Sequence, residues 1–251
     1  MTAALANKIA LVTGAGRGIG RAIAQQLAVS GAIVFINDRE ASGVEHCVHE
    51  FRNQGWQAHA ATADVADAAA VNRLFAEIES QHGQLDILIN NAAISRPRRL
   101  SETSDEDWQA VLAVNLNGVF HCCRAAFPLL LKSGAGRVVN LSSVSAYTGK
   151  VLSDNAAYVA AKAGVDGLTR ALAREWAAHN IAVNSVAPGI VETEIHAQLS
   201  AAQRAILPTL IPSGRLTTSE EIAATVLYLV SPAAREITGQ VIHINGGMYF
   251  A

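Results

Sequence analysis

KIALVTGAGRGIG, running from Lys8 to Gly20, is an apolar, β-branched run that feeds a glycine-rich turn. Lys8 to Thr13 has the composition of a strand buried on both faces. Arg21 to Ser30 reads as a helix that Gly31 ends. Strand, turn and helix make the first half of a dinucleotide-binding unit. Glycines let the backbone approach a diphosphate, and the helix start offers unpaired N–H groups and a positive dipole end. The spacing is not G-x-G-x-x-G, because Ile19 holds the third glycine's place and Gly20 follows it. What fits is Thr13-Gly14-x-x-x-Gly18-x-Gly20. A tight turn without a ligand has the same composition, so the loop alone assigns no function.

A second strand runs from Ala32 to Asn37 and leads into Asp38, 18 residues past Gly20. Dinucleotide folds place an acidic group near this point to grip the adenosine ribose 2′-OH. A carboxylate there repels a 2′-phosphate, so Asp38 argues for NAD. Arg17 and Arg39, which could pair with that phosphate, argue for NADP. Asp38 weighs more, because an uncompensated like charge costs more than an optional pair gains. Its ligand-free alternative is a helix N-cap.

The alternation continues to the end of the chain. Helices are predicted at Ala41 to Gln54, Val71 to His82, Asp105 to Lys132, Asn155 to Ala178 and Ser219 to Val230. Strands are predicted at Gln57 to Thr62, Leu85 to Asn90, Arg137 to Leu141, Ile181 to Val186 and Gln240 to Asn245. Strands alternating with helices imply a single α/β domain over residues 1–251, a doubly wound (Rossmann) seven-stranded parallel sheet with helices on both faces. Hydrophobic residues make up 51% and charged ones 16%, ample for such a core. A net charge of −2 leaves no electrostatic footprint for nucleic acid or an anionic membrane. No apolar run approaches the ~18 residues of a membrane span, and Met1 to Asn7 lacks a signal-peptide pattern. Cys47, Cys122 and Cys123 make no disulfide framework, so a reduced, cytoplasmic setting is expected.

Tyr158 and Lys162 carry the chemistry. On a helix, residues four apart differ by roughly 40° around the axis, so both side chains leave one face. A free tyrosine titrates near pH ~10, and a fixed positive charge nearby draws that value down. Such a tyrosine can take a proton from an alcohol or return one to a carbonyl. The spacing alone is common on amphipathic helices.

In company it is specific. Thr13-Gly14-x-x-x-Gly18-x-Gly20, Asp64, Asn90-Asn91-Ala92, Asn115, Asn140-Leu141-Ser142-Ser143, Tyr158-x-x-x-Lys162 and Pro188-Gly189-x-x-x-Thr193 occur in order. Over essentially its whole length the chain resembles the short-chain dehydrogenase/reductase family. The resemblance implies that Tyr158 is the general acid/base and that Lys162 lowers its pKa and holds the nicotinamide ribose. It implies that Ser143 hydrogen-bonds the substrate oxygen and that Asn115 holds a water linking Lys162 to solvent. Gly14, Arg17, Gly18, Ile19, Gly20 and Asp38 would line the cofactor's adenosine and diphosphate side. Asp64 and Val65 would flank the adenine, Asn91 would line the cleft, and Pro188, Val191 and Thr193 would orient the carboxamide. Two departures stand out: Ala93 replaces a common glycine, and the interval from Ser143 to Tyr158 is longer than in many members. Ser145 to Asp154 is therefore expected to form an enlarged substrate-facing loop.

Other candidates have plainer readings. Neighbouring helical residues point about 100° apart, so His121, Cys122 and Cys123 cannot converge on one ion. His46 and His49 lack further ligands, and no metal is expected. Gly189 to Gly214 carries Ile195, Leu199, Ile206, Leu207, Leu210 and Ile211, and reads as a lid over the substrate or as an ordinary surface helix pair. Arg96, Arg98, Arg99 and Lys150 form either a solvated basic loop or a reception for an anionic substrate. The resemblance also implies a homodimer or homotetramer, built on the helices around Tyr158 and Asn115, with Gly246 to Ala251 adding a second interface. The expected activity is NAD-dependent oxidoreduction of a secondary alcohol and a ketone, with a polyol or sugar as small-molecule substrate. A 3-oxoacyl thioester reductase is the alternative, and a catalytically silent nucleotide-binding regulator is the alternative of another class.

Overall fold

β1 (Ile9–Val12) is buried at all four residues, and its side chains alternate between two cores. Ala10 and Val12 face one, Ile9 and Leu11 the other. A strand covered on both faces needs this unbroken apolar sequence. Beside it lie β2 (Ile33–Asp38), β3 (Ala58–Thr62), β4 (Ile87–Asn90), β5 (Arg137–Leu141), β6 (Ala182–Pro188) and β7 (Val241–Ile244). They form a seven-stranded parallel sheet in the order β3-β2-β1-β4-β5-β6-β7. The computed structural model describes residues 4–150, 152–192 and 200–250.

The helices are α1 (Gly18–Val29), α2 (Ala41–Asn53), α3 (Ala68–His82), α4 (Asp105–Leu112), α5 (Gly118–Ser133), α6 (Ser145–Thr148), α7 (Ala156–Trp176), α8 (Ala201–Ile206) and α9 (Ser219–Val230). One face of the sheet packs Val34, Ile36 and Ile89 against Ile23 and Leu27 of α1, Phe51 of α2 and Val226 of α9. The other packs Leu11, Phe35 and Leu88 against Ile78 of α3, Leu130 of α5 and Trp176 of α7. Each such side chain, fully buried, contributes roughly 1.5–3 kcal/mol.

The long helix predicted from Asp105 is interrupted. Residues Ala113–Asn117 form a π turn between α4 and α5, with Asn115 fully buried inside it. Within Asp105–Ser133 an 18-residue stretch has a mean hydropathy of 1.3, and by length and composition alone the segment could cross a membrane. Here it covers the sheet: Val119, Cys122, Cys123, Ala126, Leu129 and Leu130 join the core. The chain reverses its winding between β1 and β4, whose ends lie side by side with Val12 opposite Ile89. Open α/β sheets bind ligands beyond the carboxyl ends of such a pair.

Candidate functional site

Thr13 and Asn91, one residue beyond each of these strands, lock the glycine loop. Thr13 Oγ1 accepts from the backbone N–H of Asn91 and Ala92 at 3.0 and 3.1 Å. Asn91 Nδ2 donates to the carbonyls of Thr13 and Gly14, both at 2.9 Å. Asn91 was expected only to line the cleft; it holds the loop's backbone. Gly20 must be glycine, because a Cβ there would collide with the Gly14 carbonyl and the Asn91 carboxamide. Gly18 has φ +56°, and a Cβ there would meet no protein atom within 4 Å.

α1 begins at this opening with no side-chain cap and no acidic residue in its first turn, so its leading N–H groups are unspent on side chains. Exposed Arg17 immediately precedes it, and Ile19 packs on the core behind. Free N–H groups, a positive helix end and an open glycine fit a diphosphate.

At the end of β2, Asp38 Oδ2 lies 3.2 Å from where a Gly16 Cβ would stand. Asp38 is not a helix cap: Glu40 occupies that position in α2, without a capping side-chain bond. Arg39 is exposed and pairs with Glu40 at 3.4 Å. Asp64 is exposed and Val65 buried, with Gly118 leaving room for the valine. His121 Nδ1 is bonded to the Val65 carbonyl at 3.0 Å. Burial pushes the Cys122 and Cys123 thiols up, Cys123 to about 12. Neither is a ready metal ligand. Pro188 ends β6 in the core, and buried Val191 bridges to Thr217. Thr193, with Ile195 and Leu199, lies outside the described residues.

Ser143 follows β5, and Tyr158 sits in the first turn of α7, whose cap Asn155 accepts from the Tyr158 N–H at 3.3 Å. Tyr158, Ser143 and Lys162 come together. Burial drives the Tyr158 phenol upward, and the Ser143 hydroxyl opposes it. The expected lowering by Lys162 is not realised in this arrangement. Lys162 Nζ stands 5.7 Å from the Tyr158 ring centroid and donates to the Leu141 carbonyl at 2.5 Å. The ammonium is directed at that carbonyl, and burial dominates at the phenol. Burial also pulls Lys162 itself down to about 8, against the influence of Asp166.

Asn115 is likewise engaged. Its side chain accepts from the Ile94 N–H at 2.8 Å and donates to the Ile94 carbonyl at 2.9 Å, which ties the π turn to the chain beyond β4. Arg96 and Arg98 both bind Asp107, at 2.5 and 3.0 Å, and Lys150 binds Asp154 at 2.8 Å. Much of the basic loop's charge is met locally. The enlarged loop after Ser143 contains α6 and Gly149. In the stretch read as a lid, Leu207 and Ile211 pack on Ile190 and Met248, while Ile206 and Leu210 are exposed. Sequence reasoning missed Asp166 and Tyr147, which touch this site from behind; only the four-residue step from Lys162 to Asp166 marked either.

Known proteins resemble this chain over nearly its whole length. A family model described as enoyl-(acyl carrier protein) reductase matches residues 14–249. A 3-oxoacyl-(acyl-carrier-protein) reductase of Staphylococcus aureus is 44% identical over 244 residues, spanning 97% of this chain and 98% of its own. The Aquifex aeolicus protein of the same name is 42% identical, spanning 98% of both. Among solved structures, a gluconate 5-dehydrogenase from Burkholderia cenocepacia, in complex with NADP and tartrate, superposes with a TM-score of 0.91. It is 35% identical and covers 98% of this chain and 97% of its own. The chain therefore belongs to the short-chain dehydrogenase/reductase family, whose members are oxidoreductases.

Proposed function

We propose that this protein interconverts a 3-oxoacyl thioester and its 3-hydroxyacyl counterpart with a nicotinamide dinucleotide. The observation that carries the reaction type is the half-buried Tyr158 phenol facing Ser143, one helical turn from Lys162. The substrate class is drawn from the 44% identical 3-oxoacyl reductase. A polyol or sugar acid is the second reading, supported by the gluconate 5-dehydrogenase.

The nicotinamide, when bound, supplies or accepts the hydride at the substrate carbon. In the reducing direction the Ser143 hydroxyl donates a hydrogen bond to the substrate carbonyl oxygen. Tyr158 gives its phenolic proton to that oxygen as the new C–H bond forms, leaving an alcohol and a tyrosinate. Lys162, turned from the Leu141 carbonyl, stabilises the tyrosinate and binds the nicotinamide ribose. Asn115, in the π turn and held by Ile94, takes the water that links Lys162 to solvent.

Gly14, Gly18, Gly20 and the start of α1 take the diphosphate, Asp38 the adenosine ribose, Asp64 and Val65 the adenine edge, and Pro188, Val191 and Thr193 the carboxamide. Asp38 favours NAD(H), and NADP(H) is the alternative supported by the Burkholderia structure. The exposed Ile206 and Leu210 suit a lid that covers an acyl chain. Self-association into dimers or tetramers remains part of the reading, with Phe120 on α5 43% exposed.

The test is reduced-nicotinamide absorbance with 3-oxoacyl thioesters, sugar acids and polyols, using each cofactor. Faster turnover of sugar acids than of thioesters would replace the first reading with the second.

A further inference from the structure

Behind the catalytic pair lies a carboxylate that the reaction above does not use. Asp166 is one helical turn past Lys162 on α7, so the two side chains share a face. It is only 2% exposed. Its Oδ2 accepts hydrogen bonds from Ser142 Oγ and Tyr147 OH, both at 2.8 Å. Its Oδ1 is buried without a hydrogen-bond partner among the described residues. Ser142 is the residue before Ser143, and its hydroxyl also reaches the Lys162 carbonyl at 3.4 Å. The Tyr147 ring packs against His243 and Tyr249, with centroids 4.7 Å away in each case. One carboxylate thus joins the end of β5, α6 and α7 and, through Tyr147, touches β7 and the C-terminal residues.

An ionised carboxylate in the interior is costly unless hydrogen-bonded and matched by opposite charge. Two hydroxyl donors meet part of that requirement, and the opposite charge nearest in sequence is buried Lys162, one turn back on the same helix face. We propose that Asp166 is a positioning residue of the active site: it holds the Ser142–Ser143 turn against α7 and supplies the counter-charge that keeps Lys162 an ammonium ion. The proposal rests on the reading of Tyr158 and Lys162 as the proton-transferring pair.

The other groups around it do not duplicate this role. Lys162 has Tyr158 and Asp166 on its own helix and the neutral Leu141 carbonyl of β5 against its ammonium, while Ser142 reaches its backbone carbonyl. The acidic residues of α4, Asp105, Glu106 and Asp107, lie at its outward-facing first turn, with Asp107 bound to Arg96 and Arg98. Asp166 faces Tyr147 from α6, His243 from β7 and Tyr249 beyond it, with exposed Arg170 a turn further along α7. Burial, aided by Asp166, pushes Tyr147 up and keeps it a proton donor. Burial lowers His243, leaving it neutral at pH 7. Asp166 raises Lys162 against burial.

Asp166→Asn keeps the shape and an acceptor while removing the charge; Asp166→Glu returns the charge. Nitrogen-15 NMR titration of lysine side chains in the full chain reads the Lys162 ammonium without any substrate, with Lys162→Arg identifying its signal. The Lys162 midpoint is expected to fall by roughly one pH unit in Asp166→Asn and to recover in Asp166→Glu. The alkaline limb of turnover moves the same way, and KM changes little. An unmoved Lys162 midpoint overturns the proposal, as does a loss of turnover equal at every pH. Should Asp166→Asn fail to fold, Asp166→Ser, neutral and able to bond Ser142 or Tyr147, carries the same test. If the wild-type protein turns over no carbonyl substrate, the functional reading fails, and the lysine titration still decides the role of Asp166.

Discussion

The Asn91 carboxamide donates to the Gly14 carbonyl at 2.9 Å across 77 residues of sequence, fixing the end of β4 to the glycine loop after β1. Its second bond, to the Thr13 carbonyl, completes the clamp. Asn91→Ala strips both donors from the loop and should destabilise the protein by about 1–3 kcal/mol. Dinucleotide affinity should fall more than substrate affinity, because the displaced atoms belong to the loop proposed to cradle the diphosphate. Asn91→Asp should be no better, since a carboxylate cannot donate to either carbonyl. Thermal melts and cofactor fluorescence titrations check both.

Asp38 governs the choice of cofactor in this account. Its carboxylate stands beside Gly16, where a 2′-phosphate would meet a like charge, while Arg17 is exposed nearby. Asp38→Asn removes the repulsion and keeps a ribose partner. The ratio of kcat/KM for NADP(H) to that for NAD(H) should rise by about tenfold, equivalent to about 1.4 kcal/mol. An unchanged ratio removes Asp38 as the determinant.

Lys162 imposes a pH dependence whose sign follows from its burial. Its folded value is lowered from 10.5 to about 8. Below that value both folded and unfolded chains carry its proton, and the folded state bears the full cost of the buried charge. Between pH 8 and 10.5 the unfolded chain binds more protons here, so this residue's contribution to stability rises with pH. The stability difference between wild type and Lys162→Met should therefore change with pH in that window and level off outside it. Turnover should decline on the alkaline side as the ammonium is lost.

Much of this architecture is legible in the sequence, and its gaps have physical causes. β5 and α9 fall at their expected boundaries, because local signals set them: a β-branched run for one, the Thr218–Glu221 capping box for the other. The break between α4 and α5 is invisible, since Ala113 to Asn117 contains no glycine or proline and stays helical in backbone angle. Spacing brings Tyr158 and Lys162 onto one face. Whether the ammonium turns to the phenol or to the Leu141 carbonyl depends on how α7 packs against β5, which spacing does not encode. Tyr147 and Asp166 meet because α6 folds over α7, a tertiary fact absent from either residue's neighbourhood. Asp38, by contrast, ends β2 beside the glycine loop because strand length and turn length together fix that distance.

Core packing offers a control for all of these variants. Leu88 of β4 is fully buried away from the glycine loop. Leu88→Ala should cost about 2–5 kcal/mol of stability while leaving the cofactor ratio and the pH profile of the surviving enzyme unchanged. Denaturant titration and steady-state kinetics on one preparation separate the two effects.

The most direct measurement of the central claim is nicotinamide absorbance during turnover of a 3-oxoacyl thioester by wild type and Tyr158→Phe, with cofactor affinity measured on both. The account predicts turnover by the wild type, a loss of at least about 100-fold in the variant, and nearly equal cofactor affinity. Turnover that survives in Tyr158→Phe would contradict the assignment of the proton to this residue.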